Sequence, residues 1–345
     1  MSGSPAATPE IQDGPRPSVS FEDLLRAHRR ELLVHCYRML GSWTEAEDVF
    51  QDVSLRAWRG LDRFEARSSV RSWLYRIATN ACLTALRGRS RRTLPEVTVA
   101  AAPAGGALAP PLEEARWIQP FPTGPDVEAL ASSRESVTLA FVLALQHLPP
   151  RQRAALLLRD VVGYEASEVA AMLKTSTSAV HSALIRARAR VARARERHGA
   201  EARIAPLTAS QREQLRRYVA AWEAGDVDGI VALLSHQAVA SMPPYATWYR
   251  GRAAIERWLA AGPFADGRAF RLLPTFANGR PAFAIYKSGG PCLPGKPASQ
   301  GFEPHSIQVV WLARQRVTRI VSFLDGRLVR AFGFGPRPPL GSPKK

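Results

Sequence analysis

Residues 95–125 contain seven prolines, seven alanines and three glycines with no apolar period. Neither a regular helix nor a central strand survives that density of helix breakers and missing donors. The stretch therefore divides the chain, and each side must build its own hydrophobic unit. Before it, and again after it, apolar residues recur at helical spacing; beyond about residue 205 the character changes, two helices giving way to strand-like runs. The chain divides into a disordered tail at 1–19, a helical block at 20–92, a flexible linker at 93–125, a second helical block at 126–198, a mixed block at 205–335 and a tail at 336–345. A shorter hinge falls at Gly199–Pro206.

In the first block, Leu25, Leu32, Cys36 and Leu40 share one helix face, and Gly41 stops that helix. Thr44 to Glu47 reads as a capping box opening a second helix, which buries Ala46, Val49, Phe50, Val53 and Ala57. The opposite face shows Glu45, Asp48, Gln51 and Asp52, acidic in a basic protein. A third helix, about 68–87, carries Trp73, Leu74, Ile77, Ala78 and Ala81 and runs into the basic stretch Arg87–Arg92. Around it, Phe64, Trp73 and Tyr75 alternate with Arg63, Arg67, Arg71 and Arg76, a mixture in which aromatics can stack bases while cations hold phosphates. Trp73 itself reads as core, whereas Phe64, Arg67 and Asn80 read as contact residues.

The second block pairs a short helix, Glu165–Leu173, with a long one from Thr177 to about His198 across a polar turn. With the inner stripe Val180, Leu184, Ala187 and Val191, this is a helix-turn-helix at about 165–186. Short polar groups lead the second helix (Thr177, Ser178, His181, Ser182), where base edges are read. Cations follow (Arg186, Arg188, Arg190, Arg193) and suit the phosphate backbone.

The third block opens with a capping box at Thr208 and Gln211 and two helices. Strands are expected at Ala238–Met242, Phe270–Phe276, Ala282–Lys287, Ile307–Leu312 and Val317–Leu324, with a helix near Ala253–Leu259 among them. Two helices leading into a curved antiparallel sheet make an α+β cone. Trp222, Tyr245, Trp248 and Trp258 could line a pocket in it, with His236, His305 and Asp325 as polar groups. The fold class is thus multidomain: two all-α domains and a C-terminal α+β cone.

A net charge of +17, of which +11 lies in 201–345, points to a polyanionic partner, nucleic acid first. The excess is nearly all arginine, which also fits a codon bias. Three distant cysteines form no CxxC pair, so neither a disulfide scaffold nor a cysteine zinc site is expected, and no cofactor is called for. With no apolar run of spanning length and no apolar leader segment, the expected location is the cytoplasm, without membrane contact.

Several strings carry a family resemblance. Tyr37–Gly41, Glu45–Asp52 and Ser72–Asn80 resemble region 2 of sigma-70-type RNA polymerase sigma factors of the extracytoplasmic-function (ECF) class. Leu148-Pro149 with Gln152-Arg153, Leu158–Asp160, Glu168–Ala170 and Val180–Arg188 resemble region 4. The third block is similar to SnoaL-like, polyketide-cyclase-type domains through Ala221–Asp226, Met242–Pro244, Trp248–Arg252 and Ser322–Asp325.

The resemblance implies binding to core RNA polymerase and recognition of −35 and −10 promoter elements. Glu45, Asp48, Gln51 and Asp52 would dock on the β′ clamp helices, with further contact to the β subunit. Phe64, Arg67, Arg71, Arg76, Asn80 and Arg87 would hold the −10 DNA and capture a flipped base. Thr177, Ser178, His181, Ser182, Arg186, Arg188 and Arg190 would read the −35 element. The linker would thread towards the polymerase cleft. The C-terminal domain would modulate activity rather than catalyse, with Trp222, Trp248 and His305 around a pocket for a small-molecule or intramolecular ligand. Two other classes remain open to the residues alone: a ligand-sensing helix-turn-helix repressor or activator, and a SnoaL-type isomerase or cyclase.

Overall fold

The computed structural model describes residues 20–64, 68–103, 109–113, 116–124, 138–198, 206–291 and 301–339. The expected tail at 1–19, residues 340–345 of the expected C-terminal tail, the Gly199–Pro206 hinge up to residue 205, and Arg67 lie outside the described residues.

The first block folds as α1 (Phe21–Leu40), α2 (Trp43–Gly60) and α3 (Val70–Ala85). Gly41 ends α1 in the left-handed conformation, φ 71°, which a residue without Cβ adopts at little cost. The start of α2 differs from expectation: Ser42, not Thr44, is the cap, its Oγ accepting from Glu45 N at 3.3 Å. Thr44 Oγ1 instead donates to Gln119 Oε1 of the linker. Leu32, Cys36, Tyr37, Val53, Leu74, Ala78 and Cys82 form the fully buried centre of the bundle.

Parts of the linker form local structure within the described residues. Its two ends are packed, 93–97 and 117–123 being buried or half-buried, whereas 98–101 and 109–113 are exposed. It includes one short helix, α4 (Pro95–Thr98), and a local pairing in which Thr93 N donates to Arg116 O and Ile118 N to Thr93 O. Trp117, Ile118 and Phe121 are buried. Proline and irregular turns remove the period that would betray such a segment, but its remaining N–H groups still need acceptors and find them on the first block, Gln119 N to Gly41 O, and on the third, Ala102 N to Trp248 O and Thr123 N to Phe276 O.

The second block contains α5 (Leu139–Gln146), α6 (Pro150–Leu156) continued by a π-helical turn Leu157–Val162, α7 (Ala166–Leu173) and α8 (Thr177–His198). Gly163, φ 95°, breaks the chain as expected. The N-terminal block packs on this one through α1 and α3 against α5, α6 and α7.

The third block is α9 (Ala209–Ala224), α10 (Val227–Leu233), β1 (Leu234–Ser241), β2 (Trp248–Arg250), α11 (Arg252–Ala261), β3 (Arg268–Ala277), β4 (Arg280–Pro291), β5 (Phe302–Ala313), β6 (Arg316–Phe323) and α12 (Gly326–Ala331). The Thr208 capping box is formed as expected, with Gln211 N to Thr208 Oγ1 at 3.2 Å. Strand order is β2-β1-β6-β5-β4-β3. The sheet is mixed, correcting the all-antiparallel expectation: β1 runs parallel to β6, because the chain leaving the α9–α10 pair enters one strand in from the edge, beside the last strand, and its antiparallel partner β2 takes the edge. Period-2 alternation gives the sheet two apolar faces. Phe283, Ile285 and Val310 face the cone interior, while Ala282, Ala284, Ile307, Val309 and Trp311 join an apolar cluster continuous with the helical blocks.

Candidate nucleic-acid interface

The α2 face is only partly the acidic surface expected. Asp48 and Gln51 are exposed, and Asp52 is half-exposed in an ion pair with Arg56 at 2.7 Å. Glu45 turns away: its carboxylate pairs with Arg89 and, at 2.6 Å, with buried Arg92. Continuing the same face by steps of three and four, Leu55 is 55% exposed and Trp58 62% exposed. The sequence pattern left both out of the buried stripe, and that omission was the signal that they belong to this surface. Two large apolar groups left in water beside an acidic patch mark a contact face.

On α3, Arg76, Asn80 and, just beyond the helix, Arg87 are exposed along one side. Phe64 is half-buried against Trp73, ring centroids 5.1 Å apart, so the loop aromatic is seated on the core tryptophan. Arg71 is not a free cation. It pairs with Glu31 at 2.7 Å and lies over the rings of Tyr75 and Tyr164. Burial alone would raise the Glu31 carboxyl, but hydrogen bonds from Arg71 and His28 outweigh it and hold the group below its usual value. In the basic run, Arg92 donates to Trp117 O at 2.6 Å and Arg91 meets His147 at 3.0 Å. Much of that run therefore fixes the linker and the second block.

On α8, Thr177, Ser178, His181, Ser182 and Arg186 share the exposed side, as the helix-turn-helix reading requires. Ile185, 69% exposed, sits among them and was missed; it falls outside the inner stripe, and that was the available signal. Arg188 is occupied by a two-bond pair with Asp160, at 2.9 and 2.7 Å, which raises its pKa further. Arg190 donates to Gln152 at 3.0 Å. Both arginines thus brace α8 against its own domain.

These two surfaces belong to one closed body. Arg153, 3% exposed, reaches from α6 to Met39 O of α1 while holding Gln146 and Leu148 O. Tyr75 and Tyr164 meet edge to face at 5.7 Å. Three segments then converge on one node. Tyr37 Oη donates to Gln119 O at 2.9 Å and accepts from Asn278 Nδ2 at 2.9 Å. Asn278, in the β3–β4 turn, accepts from Phe121 N at 2.8 Å, and its own N–H donates to Phe121 O. The Phe121 ring packs on Tyr37 and Trp43 at 4.8 and 4.9 Å.

In the cone, Trp222 and His305 line one cavity with Tyr245 and Trp258. Trp248 does not; its indole donates to Val99 O of the linker at 2.9 Å. His236 is exposed, and Asp325 caps α12. No helix among the described residues is long and apolar enough to cross a membrane.

Comparison with known proteins follows these divisions. Residues 24–92 match the Sigma-70 region 2 model, 138–191 the Sigma-70, region 4 model and 215–331 the SnoaL-like domain model. The chain is 44% identical over 313 residues to the ECF RNA polymerase sigma factor SigG of Mycobacterium tuberculosis, covering 89% of this chain and 81% of that one. It is 36% identical over 178 residues to SigM of the same species, covering 50% and 76%. The crystal structure of M. tuberculosis SigJ has the same fold, with a TM-score of 0.53 at 22% identity over 92% of this chain and all of that one.

Proposed function

Because the chain belongs to the ECF sigma factors, which direct RNA polymerase to promoters, we propose that it rests in a closed form that must open before both promoter elements are read. The family function makes core polymerase and promoter DNA its partners. The repressor and isomerase alternatives give way to it.

The observation that carries the reading is the node at Tyr37, Gln119, Phe121 and Asn278, which ties region 2, the linker and the C-terminal domain together. Elements named −10 and −35 lie roughly 25 base pairs apart, about 85 Å of duplex. Helix α3 carries Asn80, and its Tyr75 touches Tyr164, which directly precedes the cap of α7, the helix packed on α8. Surfaces so closely packed cannot reach both elements until region 4 swings away.

In the open form, Asp48, Gln51 and Asp52 with Leu55 and Trp58 would meet the β′ clamp helices, and the face of Arg76, Asn80 and Arg87 would take the −10 DNA. Thr177, Ser178, His181, Ser182 and Arg186 would enter the major groove at −35. The C-terminal domain acts as a regulator and not as a catalyst, because it holds the linker that a polymerase-bound factor would need to release.

Asn278→Gly tests this. Asn278 has φ 53°, so glycine keeps the turn while deleting the amide. We expect promoter-dependent transcription by the full chain with core polymerase to rise severalfold. Unchanged or lower transcription at equal core affinity would reject the closed-form reading.

A further inference from the structure

Beneath the concave face of the sheet is a cavity of about 270 Å³, walled by Trp222, Met242, Tyr245, Trp258, Phe270 and Ile285. Ligand pockets begin at about 300 Å³, so only a small molecule fits. Its polar lining is Lys287, His305, Ser306 and Gln308 on β4 and β5 with Ser322 on β6; Gln308 donates to Ser322 and accepts from Tyr218, so both are already engaged. Ser306 is 1% exposed, yet its Oγ has no hydrogen-bond partner among the described residues. Native interiors seldom leave a buried hydroxyl unpaired, and this one belongs to a residue that lines the cavity.

Lys287 lies with its ammonium 5.9 Å from the Phe270 ring centroid. Among the described residues it forms no ion pair. Asp266, the acid that acts on it most, is paired with Arg268, and Glu303, opposite it in strand register, is exposed. No aspartate or glutamate lines the cavity among the described residues. Burial and the neighbouring ammonium push His305 down to about 4, so at neutral pH it is an uncharged ring. What remains is one cation with two groups that have no hydrogen-bond partner among the described residues, the Ser306 hydroxyl and the Trp222 indole N–H, on an aromatic wall.

We propose that this cavity binds a small monocarboxylate with an aromatic or branched apolar body, its carboxylate on Lys287 and Ser306 and its body among Trp222, Trp258 and Phe270. The aromatic wall could attract a quaternary ammonium, but the Lys287 charge repels one. A neutral amide would fill the space and leave the ammonium without a counter-charge. The site stands independently of the closed-form reading, since its test contains neither polymerase nor DNA.

The test is calorimetric titration of the full chain with 2-naphthoate, 2-naphthamide and benzyltrimethylammonium. Naphthoate should bind at least tenfold more tightly than the amide, and the cation least. Lys287→Met should lower naphthoate to the level of the amide, whose own affinity stays within threefold and so reports an intact cavity. Ser306→Ala should weaken naphthoate severalfold. If Lys287→Met loses the amide too, Lys287→Arg decides: a retained preference for the acid supports the proposal, and its loss overturns it. Equal affinity for acid and amide, tightest binding of the cation, an acid preference that survives Lys287→Met, or no naphthoate binding at millimolar concentration would each overturn it.

Discussion

Region 2 is held on two sides by different chemistry. Towards region 4 the contact is charged and aromatic: buried Arg153 on backbone carbonyls, Arg71 on Glu31 and two tyrosine rings. Towards the C-terminal domain it is a neutral network of amides and hydroxyls, Gln119 with Ser42 and Thr44, and Asn278 with Tyr37 and Phe121. The first contact concentrates its energy in a few desolvated groups, so single changes there are costly. The second spreads it over many modest hydrogen bonds, each worth about 1 kcal/mol net, so it can be undone stepwise. The linker side is thus the natural place for opening to begin.

The largest expected effect comes from Arg153→Met, which keeps apolar volume but strands the carbonyls of Met39 and Leu148. Urea unfolding of the full chain should show a loss of about 3 kcal/mol or more. A loss below about 1 kcal/mol, the net worth of one ordinary hydrogen bond, would break the contrast between the two sides.

Acid should separate them next. His35, 1% exposed, has its Nε2 on Thr79 Oγ1 at 2.9 Å and its ring against Tyr75, and burial followed by the Arg38 charge lowers it to about 3. A group depressed in the folded state contributes its full stability above its unfolded value near 6.5, and that contribution falls as pH drops towards 3. By pH 5 the loss should be about 2 kcal/mol. His35→Gln should flatten that dependence, as measured by unfolding between pH 7 and 5. The linker node contains no group that titrates in this range, so Asn278→Gly should leave the slope unchanged.

The smallest effect is expected at Gln119→Ala. Its Oε1 accepts from Ser42 Oγ at 2.7 Å and from Thr44 N at 3.1 Å. The stability loss should be about 1–2 kcal/mol, because water can reach part of the gap. Hydrogen exchange should quicken in 93–124 and not in α6. Equal quickening in both would show that the two sides of region 2 open as one unit.

The helix-turn-helix shows what was legible from residues alone. A Gly163 stop, an inner stripe from Val180 to Val191 and exposed Thr177, Ser178, His181 and Ser182 follow from the 3.6-residue period and from local capping, which act over one or two turns. The strands and the Thr208 cap followed for the same reason. Among the site residues, Asp48, Asn80 and Arg186 stand exposed as expected, whereas Glu45, Arg71, Arg188 and Arg190 are engaged by partners within the fold. Their ion-pair and hydrogen-bond partners lie 28 to 47 positions away, and no local rule pairs residues over that distance.

By itself the sequence determined the helices, most strand positions, the order of three domains and the family, since periodicity, caps and motif strings are local properties of the chain. Only the tertiary structure decided that the two ends of the proline-rich segment are packed, that β1 joins β6 in parallel and that Trp248 serves the linker instead of the cavity. Each of those outcomes depends on which distant donor meets which acceptor once the apolar faces are buried. That choice is made by the assembled surface, and no period in the chain records it.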